Sequence, residues 1–346
     1  MQGSSESNQR ANRCLKNYNT FGINVEARYF ASITDIDTLR QLIVSRTLEN
    51  QDFCILGEGS NTIFRTNYEG HVLKNDMKGI QVLQENEDAV WVEAQGGENW
   101  HEFVQHCIRN GWGGIENLSL IPGSVGAAPV QNIGAYGVEL KDVFESLIAV
   151  NMRSGRVERF SLSACRFGYR DSIFKNRLQG RYFIVSVILK LTKQDKHQFT
   201  LSYGAIKERL EASGQKPSLQ SVSDTVCEIR REKLPDPRVL GNCGSFFKNV
   251  VLTKNKFEKL QKRFPDMPHY IIKENQIKIP TAWLIEQCGE WKGRRFGNIG
   301  IYHKHALIIV NHGGGTGREV SWLSEKIIES VHEKFGIEIE REVNII

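Results

Sequence analysis

The chain has no Cys-x-x-Cys pair, and its seven cysteines (Cys14, Cys54, Cys107, Cys165, Cys227, Cys243, Cys288) are odd in number and irregularly spaced. That pattern fits neither a zinc ribbon nor a disulfide scaffold, and it points to a reduced, cytoplasmic compartment. The nine histidines show no His-Glu-x-x-His or related spacing, with His303 and His305 flanking one lysine in what reads as an exposed turn or strand, so no metal is expected. Long apolar runs are missing too. The longest, Tyr182 to Leu191, carries Ser186 and Lys190 and is about half the length a membrane helix needs. The opening MQGSSESNQRANR has no apolar core and does not read as a signal peptide. Lys+Arg exceeds Asp+Glu by only five (45 against 40), spread along the chain rather than gathered on one face, which argues against a nucleic-acid partner. A cytoplasmic monomer that binds neither membrane nor nucleic acid is expected.

Hydrophobic residues make up 40% and charged residues 25%, an ordinary globular balance, and 346 residues imply two or three domains. Residues 1 to about 18 are polar and are expected to fray. A helix is predicted from about Thr34 to Leu48, with Thr34 and Asp37 as a capping box, and a buried strand from Asp52 into Gly57. Alternation over 88–94 predicts a strand, and a helix follows from about Glu98 to Asn110. Strands are predicted over 147–151 and 181–191, then helices near 205–212 and 222–233. The Leu-Pro-Asp-Pro segment at 234–237 is a stiff break and a candidate domain boundary. Beyond it lie a short helix over 254–263, a helix opening at Pro280, a strand over 306–310 and a long helix from about Arg318 to Phe335. The tail over 337–343 alternates as an edge strand would. Strands and helices alternate without repeats, giving an α+β or α/β class.

Glycine is plentiful, 31 residues against eight prolines, and it clusters. Gly57-Glu-Gly-Ser-Asn61 stands where a strand ends, either as a phosphate-binding turn or as an ordinary one; the third glycine of a dinucleotide fingerprint is absent. From Ile121 to Gly137 small residues dominate between apolar ends. Such packed backbone must find partners, either a bound pyrophosphate or its own Ω-loop. Gly313-Gly-Gly-Thr-Gly317 lacks the Gly-Lys-Ser/Thr ending of a nucleotide loop and reads as a flexible connection. Gly241 to Asn249 puts Cys243, Ser245, Lys248 and Asn249 on one loop without a nucleophile elbow or a histidine. Arg166-Phe-Gly-Tyr-Arg170-Asp-Ser172 is either an anion clamp or a salt-bridged corner.

Together these blocks, with Lys233-Leu-Pro-Asp-Pro237, Asn19-Thr-Phe-Gly22 and Trp283-Leu-Ile-Glu-Gln-Cys288, resemble the UDP-N-acetylenolpyruvoylglucosamine reductases over roughly residues 17 to 343. The resemblance implies an α+β fold. Residues 19–231 would form an FAD-binding domain of the vanillyl-alcohol-oxidase (PCMH) type in two lobes, about 19–78 and 79–231. Residues 232–336 would form a C-terminal substrate domain, and 337–346 a strand returning to the active site. It implies tightly bound, non-covalent FAD recharged by NADPH, and UDP-N-acetylglucosamine enolpyruvate as substrate. FAD would be held by Gly57, Glu58, Gly59, Ser60, Asn61, Ile121, Pro122, Gly123, Ser124, Gly126, Ala127, Ala128, Gln131, Asn132 and Gly134, with Arg230 on the flavin side. Some relatives carry serine at the positions of Ala127 and Ala128, so hydroxyl contacts are lacking there.

The implied chemistry adds hydride to one carbon of an enolpyruvyl double bond and a proton to the other. The resemblance gives Ser245 as proton donor and places Arg170 and Glu342 beside the substrate carboxylate. A guanidinium stabilises the growing negative charge, whereas an anionic Glu342 would be repelled, so Glu342 is expected to be protonated in the complex. Tyr203, in Leu201-Ser-Tyr-Gly204, resembles the tyrosine covering the substrate diphosphate in the subclass with an extra tyrosine loop. Tyr136, Lys233, Asn249 and Gln287 match substrate-contacting positions. The alternative is an FAD-dependent oxidase of the same fold acting on another sugar or alcohol.

Overall fold

Aliphatic and β-branched runs build the largest sheet. In this computed structural model, which describes residues 9–203 and 205–346, its antiparallel strands run Val157–Ser161, Phe144–Asn151, Tyr182–Lys193, Ala89–Gln95 and Ile80–Glu85. Trp112–Gly113 pairs with the end of Tyr182–Lys193. Phe183 to Leu189 are all buried, which is why this central strand reads as a continuous apolar run rather than an alternation. Helix Trp100–Arg109 starts on Asn99, whose side chain accepts the Glu102 N–H, and buries Trp100, Phe103, Val104 and Cys107. Those side chains share one core with Val187, Leu189 and Leu191 of the sheet. Burying each large one contributes about 1.5–3 kcal/mol.

Several expected boundaries move. The helix expected over 34–48 is Ile36–Val44, capped by Asp35 rather than Thr34, with the Asp35 carboxylate accepting the Thr38 N–H at 2.7 Å. The left-handed conformation of Arg46, φ 56°, ends it early. The expected frayed tail is also corrected in part. Residues 1–8 lie outside the described residues, but Gln9–Cys14 is a strand beside Glu26–Ile33, and Lys16–Tyr18 is a 3-10 turn. Leu15 is fully buried and its N–H reaches the Val25 carbonyl, so one apolar residue anchors an otherwise polar stretch. Tyr68–Asn75 and the parallel strand Phe53–Leu56 complete that sheet.

The chain forms two units. One comprises residues 27–58 and 69–231 with the segment ending at Arg13; the other comprises 14–26, 59–68 and 232–346. The block expected over 19–231 is therefore interrupted, because 19–26 and 59–68 group with the C-terminal residues.

In the second unit the strands Gly241–Asn242, Ile309–Asn311, Ile299–Ile301 and Arg295–Phe296 make one sheet, and Val250–Leu252, Gln276–Ile279 and Tyr270–Lys273 another. The strand expected at 306–310 begins only at Ile309. Helix Gly317–Phe335 opens with a Thr316–Glu319 capping box and closes at Gly336, φ 64°. The Gly313–Gly317 connection, expected to be flexible, is tied down. Asn311 Oδ1 accepts the N–H groups of Gly313 and Gly315, and a Cβ on Gly317 would collide with the Phe64 carbonyl. The tail alternates in burial, with Ile337 and Ile339 inside and Glu338 and Glu340 exposed, yet it is not the expected edge strand. Only Asn344–Ile345 is a strand, parallel to Thr62–Ile63.

Candidate active site

In the first unit the site is a glycine-rich loop clamped by a neighbouring turn. Residues Val125–Gln131 form a 3-10 helix ending at Asn132, which is left-handed at φ 46°. The turn over 166–175 holds this loop at several points. Ser172 Oγ donates to the Val130 carbonyl (2.6 Å), Lys175 Nζ to Gln131 Oε1 (3.3 Å), Asn132 Nδ2 to the Gly168 carbonyl (3.0 Å) and Arg170 Nη2 to the Gly134 carbonyl (2.6 Å). Arg166 and Arg170 are both left-handed, φ 49° and 52°, a conformation that costs energy for non-glycine residues and persists where its surroundings over-determine it. The Arg166–Ser172 segment thus brings Arg170 to the loop through a carbonyl.

The expectation that the loop's N–H groups serve a pyrophosphate needs correction in part. Val125 N–H donates to Glu98, Gly126 N–H to Gly96, and the Ala127 and Ala128 N–H groups to Ser124. Those four donors are used internally, so contacts there would come from small side chains and close backbone approach. Ser124 differs. Its buried hydroxyl has no partner among the described residues, and a Cβ on Gly57 would lie 2.5 Å from it. A Cβ on Gly126 would press on Gly96 and Asn75 at 3.0–3.1 Å. An orphaned hydroxyl beside closely packed glycine backbone fits a phosphate-bearing cofactor.

Arg230 sits in the same unit, its Nε donating to the Leu120 carbonyl at 3.2 Å. Burial pulls its pKa down, opposed by Tyr136 and Cys227 and reinforced by Arg170. Burial pushes the Tyr136 phenol up, while Arg230 and Arg209 pull against it. Tyr136, Arg230 and Arg170 are thus electrostatic neighbours, and a Cβ on Gly137, the residue after Tyr136, would lie 3.5 Å from Tyr203. Tyr203 is 46% exposed.

In the second unit the Ser245 loop is built by the tail. Asn242 shapes its start, with Nδ2 donating to the Pro235 and Leu240 carbonyls and Oδ1 accepting the Gly244 N–H. Phe246 and Phe247 are buried anchors, and Phe247 forms an antiparallel bridge with Arg341. Lys248 N–H donates to the Glu340 carbonyl and Glu342 N–H to the Phe246 carbonyl, each 2.8–2.9 Å. Asn61 Nδ2 then donates to the Glu342 carbonyl (3.1 Å), and Asn344 N–H to the Asn61 carbonyl (3.0 Å). Ser245, Glu342 and Asn61, distant in sequence, are therefore gathered on one hydrogen-bonded seam. Asn249 Oδ1 accepts the Thr281 N–H, tying the loop to helix Thr281–Gln287, whose Gln287 is exposed. Lys233 ends helix Leu219–Lys233 and is also exposed. Burial pushes the thiol of Cys243, on the same loop as Ser245, up to about 12, so it is a poor nucleophile at neutral pH.

Sequence reasoning missed Glu116, Asn117 and His197. The Glu116–His197 contact spans 81 positions, and no local pattern signals it.

Residues 27–161 match an FAD binding domain. Residues 236–346 match "UDP-N-acetylenolpyruvoylglucosamine reductase, C-terminal domain". The chain is thus a flavin-dependent oxidoreductase of mixed α and β structure. Curated proteins named UDP-N-acetylenolpyruvoylglucosamine reductase are similar throughout. That of Flavobacterium johnsoniae is 46% identical over 338 residues, 97% of this chain and 99% of its own. That of Pseudomonas aeruginosa is 46% identical over 332 residues, covering 96% and 97%. The chain belongs to the UDP-N-acetylenolpyruvoylglucosamine reductase family. In fold it is similar to the crystal structure of the reductase from Thermus caldophilus, with a TM-score of 0.66 at 21% identity, covering 97% of this chain and 99% of that one. Among the described residues no helix is long and apolar enough to cross a membrane.

Proposed function

We propose that this chain reduces the enolpyruvyl double bond of UDP-N-acetylglucosamine enolpyruvate to give UDP-N-acetylmuramate for peptidoglycan precursor synthesis. Family membership supports the substrate. Bound FAD, reduced by NADPH, supplies the hydride. Gly57 to Asn61 and the segment from Ile121 to Gly134 hold the cofactor, with Ser124 Oγ as its buried hydroxyl partner. The Ser245 hydroxyl gives its proton to the carbon that becomes carbanion-like, a very basic acceptor that a weak acid can serve in a dry site. Arg170 stabilises the charge spreading into the substrate carboxylate. Glu342, neutral beside that carboxylate, donates a hydrogen bond to it. Tyr136, Tyr203, Lys233, Asn249 and Gln287 take the uridine diphosphate portion, as in the subclass with a tyrosine loop. The chain works as a cytoplasmic monomer, and a dimer mass in solution would overturn that part.

The observation that carries the reading is the Glu342 N–H donated to the Phe246 carbonyl, one residue past Ser245. Stopped-flow measurement on Ser245→Ala tests it. Flavin reduction by NADPH stays within about twofold of wild type while substrate reduction slows by about 10²–10⁴-fold, the span of general acid catalysis. Equal slowing of both half-reactions refutes the proton-donor role.

A further inference from the structure

Three buried polar residues lie beneath the segment bearing Tyr203. Asn117 is fully buried, and its Nδ2 donates both to the Tyr136 carbonyl (2.9 Å) and to the Thr200 carbonyl (2.8 Å). Its Oδ1 has no partner among the described residues, an arrangement that costs stability because a buried acceptor goes unsatisfied. The residue therefore stays polar for its two donors. Next to it, Glu116 Oε1 meets His197 Nε2 at 2.7 Å, both side chains less than a tenth exposed, and Glu116 Oε2 accepts the Gly114 N–H. The His197 ring fills the space a Cβ on Gly113 would take, 2.6 Å from that point, and stands edge-on to Phe199. At the far end a Cβ on Gly137 would lie 3.1 Å from Thr200 and 3.5 Å from Tyr203.

We propose that Asn117 is a positioning residue for the diphosphate subsite. It locks the Tyr136 and Thr200 carbonyls together and, with the Glu116–His197 pair upstream, fixes the segment that presents Tyr203. The inference rests on the reading of Tyr136 and Tyr203 as substrate contacts. Fixing a residue costs backbone conformational entropy. A segment ordered during folding spares that cost at binding, and affinity rises accordingly.

The test is a double-mutant cycle on the oxidised holoenzyme, titrated with UDP-N-acetylglucosamine enolpyruvate in the absence of NADPH and read by calorimetry. Tyr203→Ala and Asn117→Ala are each expected to weaken Kd by about tenfold, the equivalent of about 1.4 kcal/mol. Asn117→Ala adds no more than about twofold on top of Tyr203→Ala, because both remove the same interaction. NADPH reduction of the flavin is unchanged in Asn117→Ala. A full additional tenfold loss in the Tyr203→Ala background overturns the positioning role while leaving Tyr203 as a contact. No effect of Tyr203→Ala alone overturns the tyrosine reading and this inference with it. Should Asn117→Ala fail to fold, His197→Ala is read in the same cycle, and His197→Gln, which keeps a donor for Glu116, is expected to restore Kd to within about twofold.

Discussion

The two regions that carry candidate residues, one in each unit, are assembled in opposite ways. Around Arg170 the segments over 124–139 and 166–175 bind each other through side chains, with Ser172, Asn132 and Arg170 reaching backbone carbonyls and Lys175 the Gln131 side chain, over separations of 36 to 44 positions. Around Ser245 the partners come from Asn61 and Glu342, and the seam is mostly backbone to backbone. The first region is specified by residue identity and unusual dihedrals. The second is specified by where a tail of ordinary residues lands. Substituting a side chain in the first region therefore removes a clamp. In the second region the comparable damage comes from loosening the tail.

The largest expected effect probes the tail's one functional side chain. Glu342→Asp, which shortens the reach to the substrate, is expected to lower turnover by about 10³-fold, equivalent to about 4 kcal/mol. Glu342→Gln keeps a donor at the right distance and retains more activity. The reverse order in steady-state assays would refute a neutral glutamic acid. A smaller effect comes from loosening the tail without touching chemistry. Ile339 is 3% exposed, and Ile339→Ala is expected to cost about 2–4 kcal/mol in denaturant unfolding. Ile339 lies in the second unit and the 121–137 segment in the first, so the flavin spectrum is expected to survive. Loss of bound flavin under native conditions would erase the contrast between the regions.

The smallest effect lies in the first unit. Burial pushes the Glu116 carboxyl up, but the His197 hydrogen bond and charge, with the Gly114 N–H, outweigh it and hold it below its ordinary 4.5. A depressed carboxyl stabilises the fold fully above its ordinary value and loses that contribution as pH falls through the lowered one. Wild type is thus expected to exceed Glu116→Gln by about 1 kcal/mol in unfolding free energy at neutral pH. The gap should close below pH 4.5. A gap that widens in acid would show that the carboxylate is not the stabilising form.

Much of this was legible in the chain itself. Helix Lys254–Arg263 and the Gly336 stop of the long helix follow from apolar spacing and from glycine's freedom at φ 64°. The glycine blocks near 57 and 121 were visible as motifs because their chemistry is local. Other features were not legible. Thr34 and Asp35 are adjacent plausible caps, and only the backbone's entry angle chose Asp35. Leu15 looked like part of a polar tail because its core neighbours lie elsewhere. The Gly313–Gly317 loop looked slack because Asn311, which binds it, reads as an ordinary strand residue. Asn117 and His197 carry no signal at all, since a buried amide and a buried imidazole are distinguishable from surface ones only by their partners.

By itself the sequence determined the kinds of element, the family and the residue types available for chemistry, because apolar period, glycine placement and motif order are properties of neighbouring positions. The tertiary structure decided which donors remain for a ligand, where the tail lies against the Ser245 loop, and what holds the tyrosine segment. The tail and the tyrosine segment depend on hydrogen bonds between residues tens to hundreds of positions apart, as do the Val125 and Gly126 N–H groups, and no local pattern encodes such a pairing.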